Sequence, residues 1–375
     1  MPKYIVTPWE VKGNIDYEKL IKEFGTEKID EKLLRRIEKH TGELHHFLRK
    51  GIFFSHRDMN WILDEYEKGN KFYLYTGRGP SGKTHMGHLI PWMFTKWLQD
   101  KFDVELWFQM TDDEKFLFKD NLELEDTNKM AYENALDVIA LGFKPKKTFI
   151  FSDIDYAKTL YKQALRVAKK LTASTAKAVF GFKNEDNVGK YFFTSVQSVP
   201  AFLPSVLSGK NIPCLIPYAI DQDAHFRVCR DILQKLGYYK PAAIHCRFLP
   251  GLAGMAEDGK MSTSTGEQSI IFTSDDPETV RKKIMKYAFS GGARNIEEHR
   301  RLGGNPDVDV SYQWLTFFEE NDEKLKKIYD DYKSGKMLTG ELKQILVDKL
   351  NDFLKDFQEK REKAKDRLDE FILKD

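Results

Sequence analysis

Phe72–Leu89, FYLYTGRGPSGKTHMGHL, fits two nucleotide-binding patterns at once, and the two belong to different folds. Gly77, Gly82, Lys83 and Thr84 complete G-x-x-x-x-G-K-[ST], the P-loop pattern. There, backbone amides wrap phosphates, the Lys reaches the β and γ oxygens, and the hydroxyl serves Mg²⁺. The next four residues, His85 to His88, read H-x-G-H. Both follow a short β-prone run, FYLYT, and precede HLIPWMFTKWLQDKF, whose Leu89, Met93, Trp97 and Phe102 share one helix face. Strand, loop and helix suit either pattern. A P-loop helix starting at Gly82 and Lys83 would take in Gly87 early, at a cost of up to about 1 kcal/mol relative to Ala. Pro80 removes one amide from the cradle. A P-loop also expects an acid at the end of a buried strand, for which Asp153 in TFIFSD is the best candidate.

Outward from this stretch, strands and helices alternate. VELWFQM (Val104 to Met110) reads as a strand, NKMAYENALDVIALG as a helix closed by Gly142, and KTFIFSD as a third strand. CLIPYAIDQDAHFRVCRDILQKLG adds another strand and helix. That order predicts an α/β fold with a parallel, doubly wound sheet, whose ligands bind beyond the carboxyl ends of the strands, here the loops after Tyr75, Met110 and Ile220. Residues 1–70 read as a largely helical N-terminal appendage, 71–272 as the sheet domain with a connective insertion, and 273–375 as a helical domain. Within the last, Leu342, Ile345, Leu346, Leu350, Phe353, Leu354 and Phe357 keep helical spacing.

Composition narrows the class. The chain has 375 residues, 41% of them hydrophobic and 31% charged, and no apolar run approaches the roughly 20 residues of a membrane span. The start, MPKYIVTPWEV, has neither a secretory h-region nor transit-peptide character, so a cytoplasmic location is the expectation. Cys214, Cys229 and Cys246 are widely spaced and suggest buried small hydrophobes, with no disulfide framework or thiolate zinc site. Net charge is only +2, and residues 321–375 carry fourteen basic and fourteen acidic side chains. Charge alone therefore does not decide about RNA.

A distant partner separates the two patterns. GKMSTS, Gly259 to Ser264, follows the Gly-rich loop LPGLAGMAEDG and offers a Lys and hydroxyls on flexible backbone, suited to clasping a polyphosphate. H-x-G-H after the first strand with K-M-S-x-S far downstream resembles the class I aminoacyl-tRNA synthetases. YLYTGRGPSG, TKWLQ, QMTDDEK, AIDQD, KMSTS and AFSGG extend that resemblance over nearly the whole chain, to the tryptophanyl-tRNA synthetases of eukaryotic and archaeal type.

The resemblance implies a Rossmann-type catalytic domain, a helical anticodon-binding domain, and ATP-dependent activation of L-tryptophan followed by transfer to tRNA(Trp). The nucleophile is an ionised carboxylate, so positioning and charge stabilisation dominate and no general base is needed. His85 and His88, at a helix N-terminus that favours anions, can donate to phosphate oxygens. By resemblance Lys260, Ser262 and Ser264 close over the leaving pyrophosphate, with Gly87 and Met261 also at the ATP. Arg78 would contact phosphate and Asp221 the ribose. Thr263 stands where the common form has a second Lys, which suggests that Lys83 supplies part of the missing charge; the alternative is a solvated loop Lys. Burying an indole calls for an acceptor for its N–H. By resemblance Tyr75 and Gln109 read that group, while Glu114, Gln197 and Gln222 hold the ammonium and carboxylate. The resemblance also implies ATP as its Mg²⁺ complex, no structural metal, a homodimer, and VTPWEV packed over the ATP site. A tyrosyl enzyme, a small H-x-G-H nucleotidylyltransferase and a non-catalytic RNA-binding or signalling relative are the competing readings. Gln109 favours tryptophan, and the intact signatures favour catalysis.

Overall fold

The computed structural model describes residues 4–6, 11–13, 15–255, 259–261 and 266–375. Its centre is a seven-stranded sheet in the order β3-β4-β9-β8-β5-β6-β7. In chain order these are β3 (Glu27–Lys28), β4 (Phe53–Arg57), β5 (Tyr73–Arg78), β6 (Leu106–Met110), β7 (Thr148–Ser152), β8 (Cys214–Ala219) and β9 (Ala242–Cys246). A separate antiparallel hairpin is formed by β1 (Tyr4–Val6) and β2 (Val11–Gly13). Strands β9, β8, β5, β6 and β7 run parallel, while β3 and β4 pair antiparallel at one edge. The doubly wound sheet expected from the sequence is present.

The parallel strands are buried on both faces, as sheets covered by crossover helices must be. Along β5, Leu74 joins one core with Leu106, Phe108 and Ile150, while Tyr73 and Tyr75 join the opposite core with Trp107, Phe151 and Ile216. Each fully buried side chain of this size contributes roughly 1.5–3 kcal/mol. The first core continues without a break into the C-terminal helices through Trp314, Leu346 and Leu350. Those helices start where the sequence marks them. Asp276 accepts from the Glu278 and Thr279 amides at 3.0 and 2.9 Å, with Pro277 as the first helical residue. At the far edge the chain's last turn covers β7: Ile150 N–H donates to Phe371 C=O, and Leu373 N–H to Ile150 C=O, both at 2.8 Å.

Residues 1–70 depart from the helical appendage expected of them. They do supply helices such as Glu31–Thr41 and Met59–Glu67, but β3 and β4 belong to the central sheet. The strand FFSHR is short and carries Ser, His and Arg, so neither alternation nor apolar content marks it. Burial is made tolerable by partners on other strands and at the start of the helix Asp223–Lys235. Arg57 forms a two-pronged ion pair with Asp223, at 2.8 Å on each side. The Tyr218 hydroxyl donates to Asp223 at 3.2 Å, His245 Nε2 lies 3.1 Å from that hydroxyl, and Ser55 Oγ lies 2.9 Å from His245 Nδ1.

Burial holds His245 and His225 down to about 3. Both are neutral in the fold, whereas an unfolded His takes a proton near 6.5. Below pH 6.5 the unfolded chain therefore binds protons that the fold refuses. Each of the two removes about 1.4 kcal/mol of stability per pH unit from there towards pH 3. Denaturant midpoints should fall steadily between pH 6.5 and 5; a flat profile there would contradict the neutral assignment.

Candidate active site

The loops at the carboxyl ends of β5, β6, β8 and β9 enclose a cleft of about 890 Å³. Gly77 allows its floor to form, since a Cβ there would meet the Gln109 carbonyl oxygen across the β5–β6 pair at 2.7 Å.

The Gly-rich loop is not built as a phosphate cradle. Arg78 ends β5 and turns its guanidinium into the loop, donating to Thr84 Oγ1 at 2.5 Å, Ser81 Oγ at 2.9 Å and the Lys83 carbonyl at 3.2 Å. A P-loop turns amide donors inward; this loop turns acceptors inward onto an arginine. Thr84 in turn donates to Asp137, which Arg361 of the C-terminal helix Thr339–Ala364 holds at 2.8 Å. The following helix, Met86–Phe102, begins three or four residues later than a P-loop would require. Lys83 is exposed, with its ammonium 5.4 Å from the centre of the Phe272 ring, and is not among the residues lining the cleft.

The H-x-G-H segment does open on the cleft. His85 N–H donates to His88 Nδ1 at 3.3 Å, and the two rings stack with centroids 3.6 Å apart. With Nδ1 accepting, neutral His88 carries its proton on Nε2 and can act as a donor. Gly87 is the second residue of the helix, where a Cβ would lie 3.2 Å from the His85 ring and 3.5 Å from Met261 Cβ. The two distant motifs are thus in contact, and main chain fixes them. Met86 N–H donates to Ile271 C=O at 3.1 Å, Thr273 N–H to Thr84 C=O at 2.9 Å, and Met261 N–H to Leu249 C=O at 3.0 Å. Ser262, Thr263 and Ser264 lie outside the described residues, as do residues 7–10 of VTPWEV. Val11 of that segment packs with Ile220 and Phe248 beside the cleft, and its carbonyl accepts from Lys260 N–H at 3.4 Å.

Electrostatically the cleft is set for an anion. Burial, then the charges of Arg78 and Lys260, pull His85 down to about 3, and burial brings Arg78 itself to about 10. Phosphates arriving here would meet donors whose own repulsion they relieve. Lys260 Nζ pairs with Asp221 Oδ2, and the Gln222 amide donates to the same oxygen at 3.3 Å. Four buried polar atoms of the lining have no hydrogen-bond partner among the described residues: Arg78 Nε, His85 Nδ1, Gln197 Oε1 and Asp221 Oδ1. An unpaired buried polar group costs about 1–3 kcal/mol, so their convergence marks a binding site.

At the other end, Phe193, Phe226 and Ile216 wall an apolar recess closed by Tyr75 and Gln109. The Tyr75 hydroxyl lies 2.5 Å from Gln109 Oε1 and 3.0 Å from the Gln197 carbonyl, and can donate to either. Gln109 Nε2 donates to Asp153, at 2.8 and 2.9 Å from its two oxygens. Glu114 accepts from Thr111 Oγ1 at 2.8 Å near the recess mouth.

Every described candidate except Lys83 therefore faces one cleft. Sequence reasoning missed Arg247 and Phe248, which line it from the end of β9, a strand not expected from AAIHC. It considered Asp153 only as the acid a P-loop would need, although that residue follows directly on the carboxyl end of β7, where such sheets bind ligands.

Comparison with known proteins agrees with this geometry. Residues 67–355 match the family model described as tRNA synthetases class I (W and Y). A tryptophan--tRNA ligase of Sulfolobus acidocaldarius is 54% identical over 98% of this chain and 95% of its own. The cytoplasmic tryptophan--tRNA ligase of Saccharomyces cerevisiae is 53% identical over 98% and 89%. The crystal structure of Plasmodium falciparum tryptophanyl-tRNA synthetase superposes with a TM-score of 0.87 at 48% identity, covering 93% of this chain and 94% of that one. The chain belongs to the class I tRNA synthetases of the tryptophan and tyrosine branch.

Proposed function

We propose that the chain activates L-tryptophan with ATP and charges tRNA(Trp). A tryptophan carboxylate oxygen attacks the α-phosphorus, pyrophosphate leaves, and tryptophanyl-adenylate forms. The 2′-hydroxyl of the terminal adenosine then attacks the acyl carbon and AMP leaves. The observation that carries this reading is the convergence of four buried polar atoms, without a partner among the described residues, on the cleft that joins the two signature motifs.

Donors from His85, His88 and Lys260 face the phosphates, with Ser262 and Ser264 completing the loop, and they stabilise charge that grows on the pyrophosphate. Arg78 Nε faces the same region, and Asp221 Oδ1 accepts from the ribose. Gly87 and Met261 let the nucleotide lie against the helix start. Tyr75 and Gln109 accept the indole N–H, while Glu114, Gln197 and Gln222 hold the amino-acid head. Among the described residues no group of three or more His, Cys, Asp or Glu side chains is placed to hold a metal ion. Mg²⁺ enters the proposal as part of the ATP complex. No helix among the described residues is long and apolar enough to cross a membrane. A cytoplasmic homodimer, with residues 273–375 receiving the anticodon, completes the reading.

Amino-acid-dependent exchange of pyrophosphate into ATP tests it. Tryptophan should support exchange with kcat/KM at least about a hundredfold above tyrosine. Tyrosine-dependent exchange would reassign the substrate, and no exchange with any amino acid would favour a non-catalytic relative.

A further inference from the structure

We infer that Asp153 is a positioning residue for amino-acid specificity, fixing the Gln109 amide so that its carbonyl and not its NH₂ faces the recess. The inference rests on the proposed reading of that recess as an indole pocket. Asp153 is 4% exposed, and both its oxygens lie within 2.9 Å of Gln109 Nε2. An amide turned over would set its carbonyl against the carboxyl group and its NH₂ against the Tyr75 hydroxyl. The network therefore selects one of the two orientations.

The consequence passes on to Tyr75. With Gln109 Oε1 held at 2.5 Å, the Tyr75 hydroxyl finds acceptors on both sides, Oε1 and the Gln197 carbonyl at 3.0 Å. Its single proton is committed to them, and its lone pairs remain for the recess. Both polar groups at the end of the recess thus act as acceptors, matched to a ligand with one N–H and no acceptor of its own. Burial, then the charges of the neighbouring Asp113 and Asp112, push Asp153 up. A proton shared between Asp153 and Asp113 still leaves an oxygen that accepts from Gln109. Gly77 lets the Gln109 main chain and Cβ lie close against β5, which fixes the base of the side chain.

The test compares tryptophan with β-(3-benzothienyl)alanine, a near-isostere whose sulfur replaces the indole N–H, in pyrophosphate exchange. Asp153→Asn can donate to Gln109 and permits the turned-over amide. It should lower the ratio of kcat/KM for tryptophan to that for the analogue by about tenfold or more, because a buried N–H now meets a donor. KM for ATP should stay unchanged. In a Gln109→Leu background the same substitution should no longer move the ratio. Should Asp153→Asn not be recovered folded, Asp153→Ala carries the same comparison. An unchanged ratio in a folded Asp153 variant overturns the positioning role and leaves Asp153 a packing residue. If Gln109→Leu alone leaves the ratio unchanged, the indole reading of the recess has failed instead.

Discussion

Lys260→Ala is expected to slow tryptophan-dependent pyrophosphate exchange by roughly 10²–10³-fold, the loss typical of removing one preorganised donor from a developing anion. Lys260 presents the described cation of the GKMSTS segment, and it reaches the cleft because Met261 is pinned to Leu249 and the Lys260 amide to Val11. Thr263 in place of a second Lys leaves no nearby substitute on that loop, and Lys83 points to Phe272. The loss should fall on kcat, because pyrophosphate charge grows only as the α-phosphorus is attacked. Tryptophan binding measured at equilibrium should be unaltered, since Tyr75 and Gln109 lie at the opposite end of the cleft. A variant that keeps its kcat and loses only tryptophan affinity would contradict this placement. Asp221→Asn separates two effects: in the ligand-free protein it removes Lys260's partner, yet it keeps the cation for the transition state. Its kcat should fall less than that of Lys260→Ala.

The second large effect is on stability. Arg57→Ala should cost about 3–5 kcal/mol in denaturant unfolding, because it strands a fully buried Asp223 carboxylate. Burial alone would raise Asp223, but the Arg57 guanidinium, with Arg227 behind it, holds it below the usual carboxylate range. Arg57→Lys should recover only part of the loss, since an ammonium cannot meet both oxygens at once. Replacing the two together, Arg57→Met with Asp223→Leu, should cost less than Arg57→Ala alone. If the single variant loses under about 1 kcal/mol, the pair is solvated in a way the buried geometry denies. The change would also reach function. Asp221 and Gln222 immediately precede Asp223, so a helix start freed from β4 should carry the proposed ribose contact with it and raise KM for ATP.

Most of the parallel part of the sheet was legible because each of its strands but one is a compact apolar run between a helix and a Gly-, Pro- or Asp-bearing loop. The exception, AAIHC, is short and poor in large β-branched residues. FFSHR was hidden for a different reason: its burial depends on Asp223, Tyr218 and His245, residues far away in sequence that no local pattern displays. The site divided the same way. His85, His88, Lys260 and the proposed acceptors Tyr75 and Gln109 stood in recognisable motifs. Asp153 was singled out only as a P-loop acid, because its contact with Gln109 joins two strands far apart in sequence, and Arg247 enters from an unexpected strand; neither role could be seen without the fold. The P-loop match shows the reverse error. GRGPSGKT has the right letters, but Arg78, one residue after the first glycine, fills with its own guanidinium the space that phosphates would need.

The antiparallel pairing of β4 with β9 bears on how the chain is made. Phe53–Arg57 leaves the ribosome long before Ala242–Cys246, and at about 5–20 residues per second its partner follows roughly 10–40 s later. During that interval β4 has only the two residues of β3 beside it, and a pairing so short is not stable alone. Ser55, His56 and Arg57 keep the waiting strand polar at its end, which discourages pairing with a strand of another nascent chain. The residues that made this strand hard to recognise are the ones that let it wait safely.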